Sequence, residues 1–312
     1  MNSTMNRLGG VVVAIDDSDQ GCAVVRYAAV EAERLGVALD IVHILPGRLP
    51  VAPMRMSLVP DAEFESYGAR ILSRAKEAAL GAVATLEVRT HLRVGDRIQQ
   101  LVAVAEHARL FVLGNPSPKT LDRLWTGGTV TAVAGRAACP VIVVPAEPDP
   151  GEAHRRVAIG WKSPGQASEL FETGFQLAAA MRAELVVLHA WRLEGRYDDI
   201  IAHRAETQEW QREQTDLIEQ ELTPYRAAFP DVPVRVFVRH EEPAHALARV
   251  ARGADRLLIS RRPLHHAPGR GVGKVGRALL REAHCPIEVL PPGNGAGTTA
   301  TPGVERCTEL VP

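Results

Sequence analysis

The sequence repeats itself once, at a spacing too long for a stacked array of small repeats. Cys139-Pro140 and Cys285-Pro286 lie 146 residues apart. The same pitch relates Gly127 to Gly273, Gly114 to Ser260, and His43 in IVHIL to His189 in VLHAW. Solenoids repeat every few dozen residues, so this period describes a duplicated domain. The two copies also act as internal comparisons: where they differ chemically, their functions are expected to have diverged.

A chain of 312 residues then divides into two domains, each of about 140 residues, within the usual size range. With 46% hydrophobic and 23% charged residues, both copies can bury a core. The net charge of -1 gives no general attraction to nucleic acid or to a membrane surface, and neither is expected as a partner. The cations are nearly all arginine, Lys76, Lys119, Lys162 and Lys274 being the lysines. The opening MNSTMNRLGG has no basic stretch followed by an apolar one, and no apolar run approaches the ~20 residues of a membrane helix. Cys22, Cys139, Cys285 and Cys307 show neither metal-type nor disulfide-framework spacing, so free thiols in a reducing cytoplasm are expected.

Each half alternates short apolar runs with helical periodicity. Strands are predicted in the first half at Val11 to Ile15, Leu39 to Ile44, Leu86 to Leu92, Leu110 to Leu113 and Val141 to Val144. In the second they are predicted at Val157 to Ile159, Leu185 to His189, Val234 to Val238, Leu257 to Ile259 and Ile287 to Leu290. Continuous apolar runs are what strands covered on both faces require. Val24, Ala28, Ala32 and Leu35 share one helix face, with Asp17 or Ser18 as the expected cap and Gly36 as the terminator. A long charged helix is predicted near Arg204 to Tyr225. The alternation implies doubly wound parallel sheets with right-handed crossovers. The expected organisation is a leader over 1–8, a first domain over 9–147, a linker over 148–154, a second domain over 155–292 and an unstructured tail over 293–312. Gly47 to Pro60 reads as an irregular insertion after the second strand, a lid being the alternative.

In such a sheet, ligands bind beyond the carboxyl ends of the strands where the strand order reverses. An order 3-2-1-4-5 puts that crevice between the first and fourth strands. Asp16 ends the first strand, Gly114 leaves the fourth, and Gly127-Gly128-Thr129 opens the last helix. Glycines admit a phosphate to close range, and a helix N-terminus offers free N–H groups and the positive end of its dipole.

These residues resemble the universal stress protein family in both halves, over about residues 9 to 147 and 155 to 292, so the chain is identified as a tandem member. The nucleotide-binding branch carries G-x2-G-x9-G-(S/T) after the fourth strand. Here Gly114-x2-Ser117-x9-Gly127-Gly128 keeps the spacing, with serine for the second glycine and glycine for the final serine; Thr129 follows one place later. The resemblance implies two flavodoxin/Rossmann-like domains whose last strands pair as an internal pseudo-dimer, with homodimerisation possible beyond it. It also implies a cytoplasmic stress-response regulator binding ATP, with Mg2+ on the phosphates, rather than an enzyme. By the same resemblance Asp16 would hold the ribose or base and the main chain of Val42 the adenine edge. Gly114, Ser117, Gly127, Gly128, Thr129 and Val130 would surround the phosphates. The alternatives are an empty cleft in a scaffold that docks an unknown protein partner, and a weak ATP-hydrolysing enzyme.

The second copy departs from this pattern. Setting VAIDDS against VAIGWKS places Gly160 at the Asp16 position, with Trp161 beside it and able to fill a base pocket. The following loop carries Arg261, Arg262, His265, His266 and Arg270 before Gly273-Lys274, cations that gathered in one mouth would attract an anion. GVGK is only superficially a P-loop, since Val275 stands where Ser or Thr is needed. Ser18 and Ser163 lack a nucleophile-elbow context, and His265-His266 lacks further ligands at a metal-like interval, so no catalytic residue is assigned.

Overall fold

The computed structural model describes residues 9–18, 20–46, 61–115, 127–146, 153–163, 168–192, 207–261, 271–282 and 284–292. The first copy runs β1 (Val11–Ile15), α1 (Gly21–Leu35), β2 (Leu39–Pro46), α2 (Asp61–Ala82), β3 (Val88–Gly95), α3 (Arg97–Ala105), β4 (Leu110–Gly114), α4 (Gly127–Arg136) and β5 (Val141–Val144). The second runs β6 (Arg156–Trp161), α5 (Ser168–Met181), β7 (Glu184–Trp191), α6 (Thr207–Ala228), β8 (Val234–His240), α7 (Pro243–Ala251), β9 (Arg256–Ser260), α8 (Gly273–Glu282) and β10 (Ile287–Leu290).

Ten strands form one sheet in the order β3-β2-β1-β4-β5-β10-β9-β6-β7-β8. Each half has the expected 3-2-1-4-5 order with parallel neighbours, and the halves join through antiparallel pairing of β5 with β10. The pseudo-dimer is therefore built into a single chain. Every residue of β1 is buried because both faces are covered. Val11, Val13 and Ile15 pack toward α1 and α2, and Val12 and Ala14 into the core that also holds α3 and α4. The bonds that hold the strands in place obey the 146-residue pitch. Phe111 N–H donates to Pro140 O, and Leu257 N–H to Pro286 O, both at 3.0 Å. Among the described residues no helix is long and apolar enough to cross a membrane.

Some boundaries differ from the sequence expectation. Strand β3 starts two residues late, because Leu86 is turned back onto Val83, and continues to Gly95 through Arg93 and Val94. Helix α6 runs a turn past its Pro224, where Tyr225 stacks on Phe175 at 5.7 Å. Neither Asp17 nor Ser18 caps α1: the N-cap is Gln20, with no side-chain cap bond. Asp17 instead accepts from the Tyr67 hydroxyl, and Ser18 donates its N–H to Asp16 Oδ1. Gly36 does terminate α1, at φ +64°.

On one side of the β5–β10 junction lies a buried ionic cluster. Arg256 of β9 donates to Glu31 of α1, to the Tyr27 hydroxyl and to Glu288 of β10 at 3.1 Å. Glu288 is registered directly against Ile142 of β5, its own counterpart at the 146-residue pitch. The counterparts of Arg256 and Glu31 are Leu110 and Leu177, so all three matched positions are buried and apolar in the other copy. Both outer strands carry arginines at matched positions, Arg89 and Arg93 on β3, Arg235 and Arg239 on β8, a charge pattern that discourages strand addition at an open edge.

Two stability predictions follow from the comparison of the copies. Arg182, counterpart of Gly36, ends α5 at φ +50° with the same bonding pattern, Ala183 N–H to Ala178 O mirroring Val37 N–H to Ala32 O. A side chain in left-handed backbone costs roughly 1 kcal/mol or more. Arg182→Gly is expected to raise the thermal midpoint, measured by calorimetry, and Gly36→Arg to lower it. Replacing Arg256 alone by Leu strands the buried Glu288, leaves Glu31 only Arg34, and is expected to cost about 3–5 kcal/mol in urea unfolding. The triple change Arg256→Leu, Glu31→Leu and Glu288→Ile removes the three buried charges together, leaving the part-exposed Arg34 to solvent, and is expected to restore most of that loss.

Candidate functional site

The C-terminal ends of β1 and β4 part above their last shared rung, Ala14 against Leu113, and a cleft opens there. It is a shallow notch of about 30 Å³, open to solvent, with Ile15, Asp16, Gln20, Val24, Gly114 and Asn115 among its walls. Asp16 leaves β1 at the rim, half-buried, its carboxylate steadied by the Ser18 N–H at 2.9 Å. Gly114 is required by packing: a Cβ there would come within 2.9 Å of Val24 Cγ2 on α1. Asn115 N–H donates to Val144 O at 2.7 Å, and its side-chain amide reaches Leu280 O in the last helix of the second domain.

Gly127, Gly128, Thr129 and Val130 form the first turn of α4, where N–H groups lack intrahelical acceptors. Gly128 is exposed, whereas the side chains of Thr129 and Val130 are buried, so Val130 can offer a ligand only its main chain. Ser117 lies outside the described residues. Val42 does not occupy the position expected for it. It sits inside β2, registered with Ala14 on one side and His91 on the other, and the ladder engages its main chain. The last rung of β1 pairs Ile15 with His43, so the first main chain of β2 beyond it belongs to Ile44.

His43 donates from Nδ1 to Ile15 O at 3.0 Å, and burial pushes its pKa down, which keeps it neutral and fixes its ring beneath the cleft. Arg97 at the start of α3 also depresses the His43 pKa, and its own is lowered by burial despite the nearby Asp16 and Asp96 carboxylates. Arg97 and Tyr67 went unnoticed in the sequence, which contains no local motif around either.

The second copy corrects the alignment. Ile15 pairs with His43 as Trp161 pairs with His189, and His189 Nδ1 donates to Trp161 O at 3.2 Å as His43 does to Ile15 O. Trp161 therefore stands at the Ile15 position and Lys162, not Gly160, at the Asp16 position. The sequence comparison slipped by two residues, a shift that leaves the in–out alternation of a strand unchanged. Trp161 does fill space: it is 3% exposed, donates Nε1–H to Glu221 at 3.0 Å, and meets His189 edge-on with ring centres 4.9 Å apart. His189, Trp210, Trp191 and His240 continue the stack, Trp191 lying 4.1 Å from Trp210 and 4.2 Å from His240.

Arg261, counterpart of Asn115, is not at an open mouth. It is 8% exposed and donates from Nη2 to Ala137 O at the end of α4. Gly273 begins α8 at φ +71°, with Lys274 exposed beside it. Arg262 lies outside the described residues. Burial raises the pKa of the Cys139 and Cys285 thiols to about 12, which makes both inert packing groups.

Comparison with known proteins agrees with this architecture. Universal stress protein Rv2005c of Mycobacterium tuberculosis is 25% identical over 294 residues, spanning 90% of this chain and 96% of the relative. A universal stress protein of Mycolicibacterium smegmatis is 26% identical over 289 residues, spanning 91% and 97%. The crystal structure of a universal stress protein from Archaeoglobus fulgidus superposes with a TM-score of 0.63 at 15% identity, over 91% of this chain and 98% of that one, a likeness of fold. The profile of the Universal stress protein family matches residues 9–145 and again 154–291. The chain belongs to that family, as a tandem member with two copies of its domain.

Proposed function

We propose that the first domain binds an adenine nucleotide such as ATP, and that occupancy serves a regulatory role in a stress response rather than turnover. The observation that carries this reading is the contrast between copies. The first keeps an open cleft between Asp16 and Gly114, while the second packs Trp161 at the matched place. In the bound state Asp16 accepts from the ribose hydroxyls, the main chain at Ile44 meets the adenine edge in place of Val42, and the first turn of α4 receives phosphate oxygens. A Mg2+ accompanying the nucleotide would be bound through its phosphates and water. The carboxylate and imidazole nearest the cleft are engaged by Ser18 and Ile15, which suits binding better than proton transfer.

Isothermal titration of the full chain with ATP tests this. Asp16→Ala removes charge-assisted hydrogen bonds worth about 1.5–3 kcal/mol, so affinity is expected to fall about ten- to hundredfold. Absence of ATP binding by the unaltered chain would instead favour a nucleotide-free scaffold.

A further inference from the structure

The shared sheet stops short at one end of the junction, and a hollow opens where it stops. Strands β5 and β10 run antiparallel, and Val143 against Ile287 is their last rung at this end. Beyond it stand Pro145 on one strand and Pro286 on the other, and a proline has no N–H with which to extend a ladder. Helix α1 of the first domain and the segment leading into β6 of the second border the space that is left. It measures about 270 Å³, far more than the notch beside Asp16, and both domains contribute to its walls.

The lining is apolar along Val24, Tyr27, Val144, Pro145 and Pro286. Arg256 donates to the Tyr27 hydroxyl, with the guanidinium carbon 5.6 Å from the ring centre, so the aromatic wall is fixed. Gln20, His154, Asp255 and His284 add the polar groups. Among the described lining residues Asp255 is the one carboxylate, and none is lysine or arginine. One Asp255 oxygen accepts the His154 N–H at 2.9 Å and the other the Arg156 N–H at 2.8 Å. Those bonds hold the carboxylate in place and leave each oxygen a second lone pair.

Duplication supplies the control. At the matched positions of the other copy Glu169, Leu170 and Thr173 replace Ala23, Val24 and Tyr27, and Arg109 replaces Asp255. The aromatic wall and the carboxylate therefore belong to one side of the pseudo-twofold axis. Such a hollow suits a flat apolar body with a cationic end, the ring against Tyr27 and the prolines and the ammonium at Asp255. A carboxylate or phosphate would meet Asp255 with no Lys or Arg among the described lining residues to offset it. The volume lies just below the range of about 300–1,000 Å³ usual for drug-sized ligands, which fits one fused ring and a short arm.

We infer that this hollow is a binding site for a small aromatic amine, held between the two domains where their common sheet ends. The inference is independent of the nucleotide reading, although Gln20 and Val24 border both spaces and the first turn of α1 lies between them.

Tryptamine is the probe, titrated into the full chain by calorimetry and by ligand-observed saturation-transfer NMR. Indole-3-acetate, with the same ring and the opposite charge, is the control. Tryptamine is expected to bind with a Kd of about 1 mM or tighter, and about fivefold or more tightly than indole-3-acetate. Ala23 on α1 and Ala153 before β6 line the hollow and are exposed, so a larger side chain at either narrows it without entering a core. Tryptamine affinity is expected to fall about fivefold or more in Ala23→Phe, in Ala153→Phe, or in both, with thermal midpoints showing that the fold persists. Excess ATP is expected to leave tryptamine binding unchanged. The proposal is overturned if the unaltered chain does not bind tryptamine, if indole-3-acetate binds within fivefold of it, or if both folded variants keep affinity within fivefold. Displacement of tryptamine by ATP would also overturn it, by assigning the amine to the notch at Asp16. Failure of ATP itself to bind would count against the nucleotide reading alone.

Discussion

The antiparallel contact between β5 and β10 sets the geometry of everything else. It places a pseudo-twofold axis at the pair Glu288 and Ile142, continues one hydrogen-bonded sheet through both domains, and brings α1 of the first domain against β9 of the second. Two first domains paired in this way would set Ile142 against itself and leave Glu31 only Arg34 of its own helix. Two second domains would bury Glu288 against Glu288. Only the mixed pair gives Arg256 both of its carboxylates. Burial raises the Glu288 pKa, whereas Arg256 holds that of Glu31 down, so the cluster does not maximise stability. It does penalise the wrong partner, as specificity by unpaired buried charge requires.

The same axis ties each cleft to the opposite domain. The residue following the fourth strand, Asn115 or Arg261, donates across the boundary to a carbonyl at the end of the other copy's last helix. Those carbonyls are the unsatisfied acceptors that every helix C-terminus leaves, and an amide or a guanidinium satisfies them well. The exits of both clefts are consequently anchored by contacts that exist only in the assembled chain. A cleft wall built from one domain alone would lack them.

Much of this was legible in the sequence. Strands β1, β5 and β10 could be bounded to the residue because they end abruptly at Asp16, Pro145 and Pro291, even though β10 carries Glu288 among its apolar residues. Strands β7 and β8 ran past their predicted ends because Trp191, Arg239 and His240 do not look like interior strand residues, although a sheet end exposes one side of each. The two-residue slip between the copies had a similar origin, since a period-two pattern fits offsets of 144 and 146 equally well. Hydrogen bonds from His43 and His189 distinguish them. The ionic cluster could not be read at all: Glu31 looks like a helix surface residue, and its partner is 225 positions away.

The divergence of the clefts reduces to a change of shape at one rung and a change of sign around it. Ile15 and Trp161 are both almost fully buried beside a histidine held by the same kind of bond, so the backbone frame is common to the two copies. An indole needs more room than a sec-butyl group, and in a close-packed interior that room comes from the neighbouring space. Trp210 and Trp191 extend the fill outward, and Glu221 pins the indole through its N–H. Opening such a pocket would cost the contacts of several large rings, more than a weakly held base and sugar could return. A duplicated frame can in this way keep one cleft open while the other becomes a packed wall, with Gly36 and Arg182, Leu110 and Arg256, or Asp16 and Lys162 each showing the same backbone position adapted to opposite chemistry.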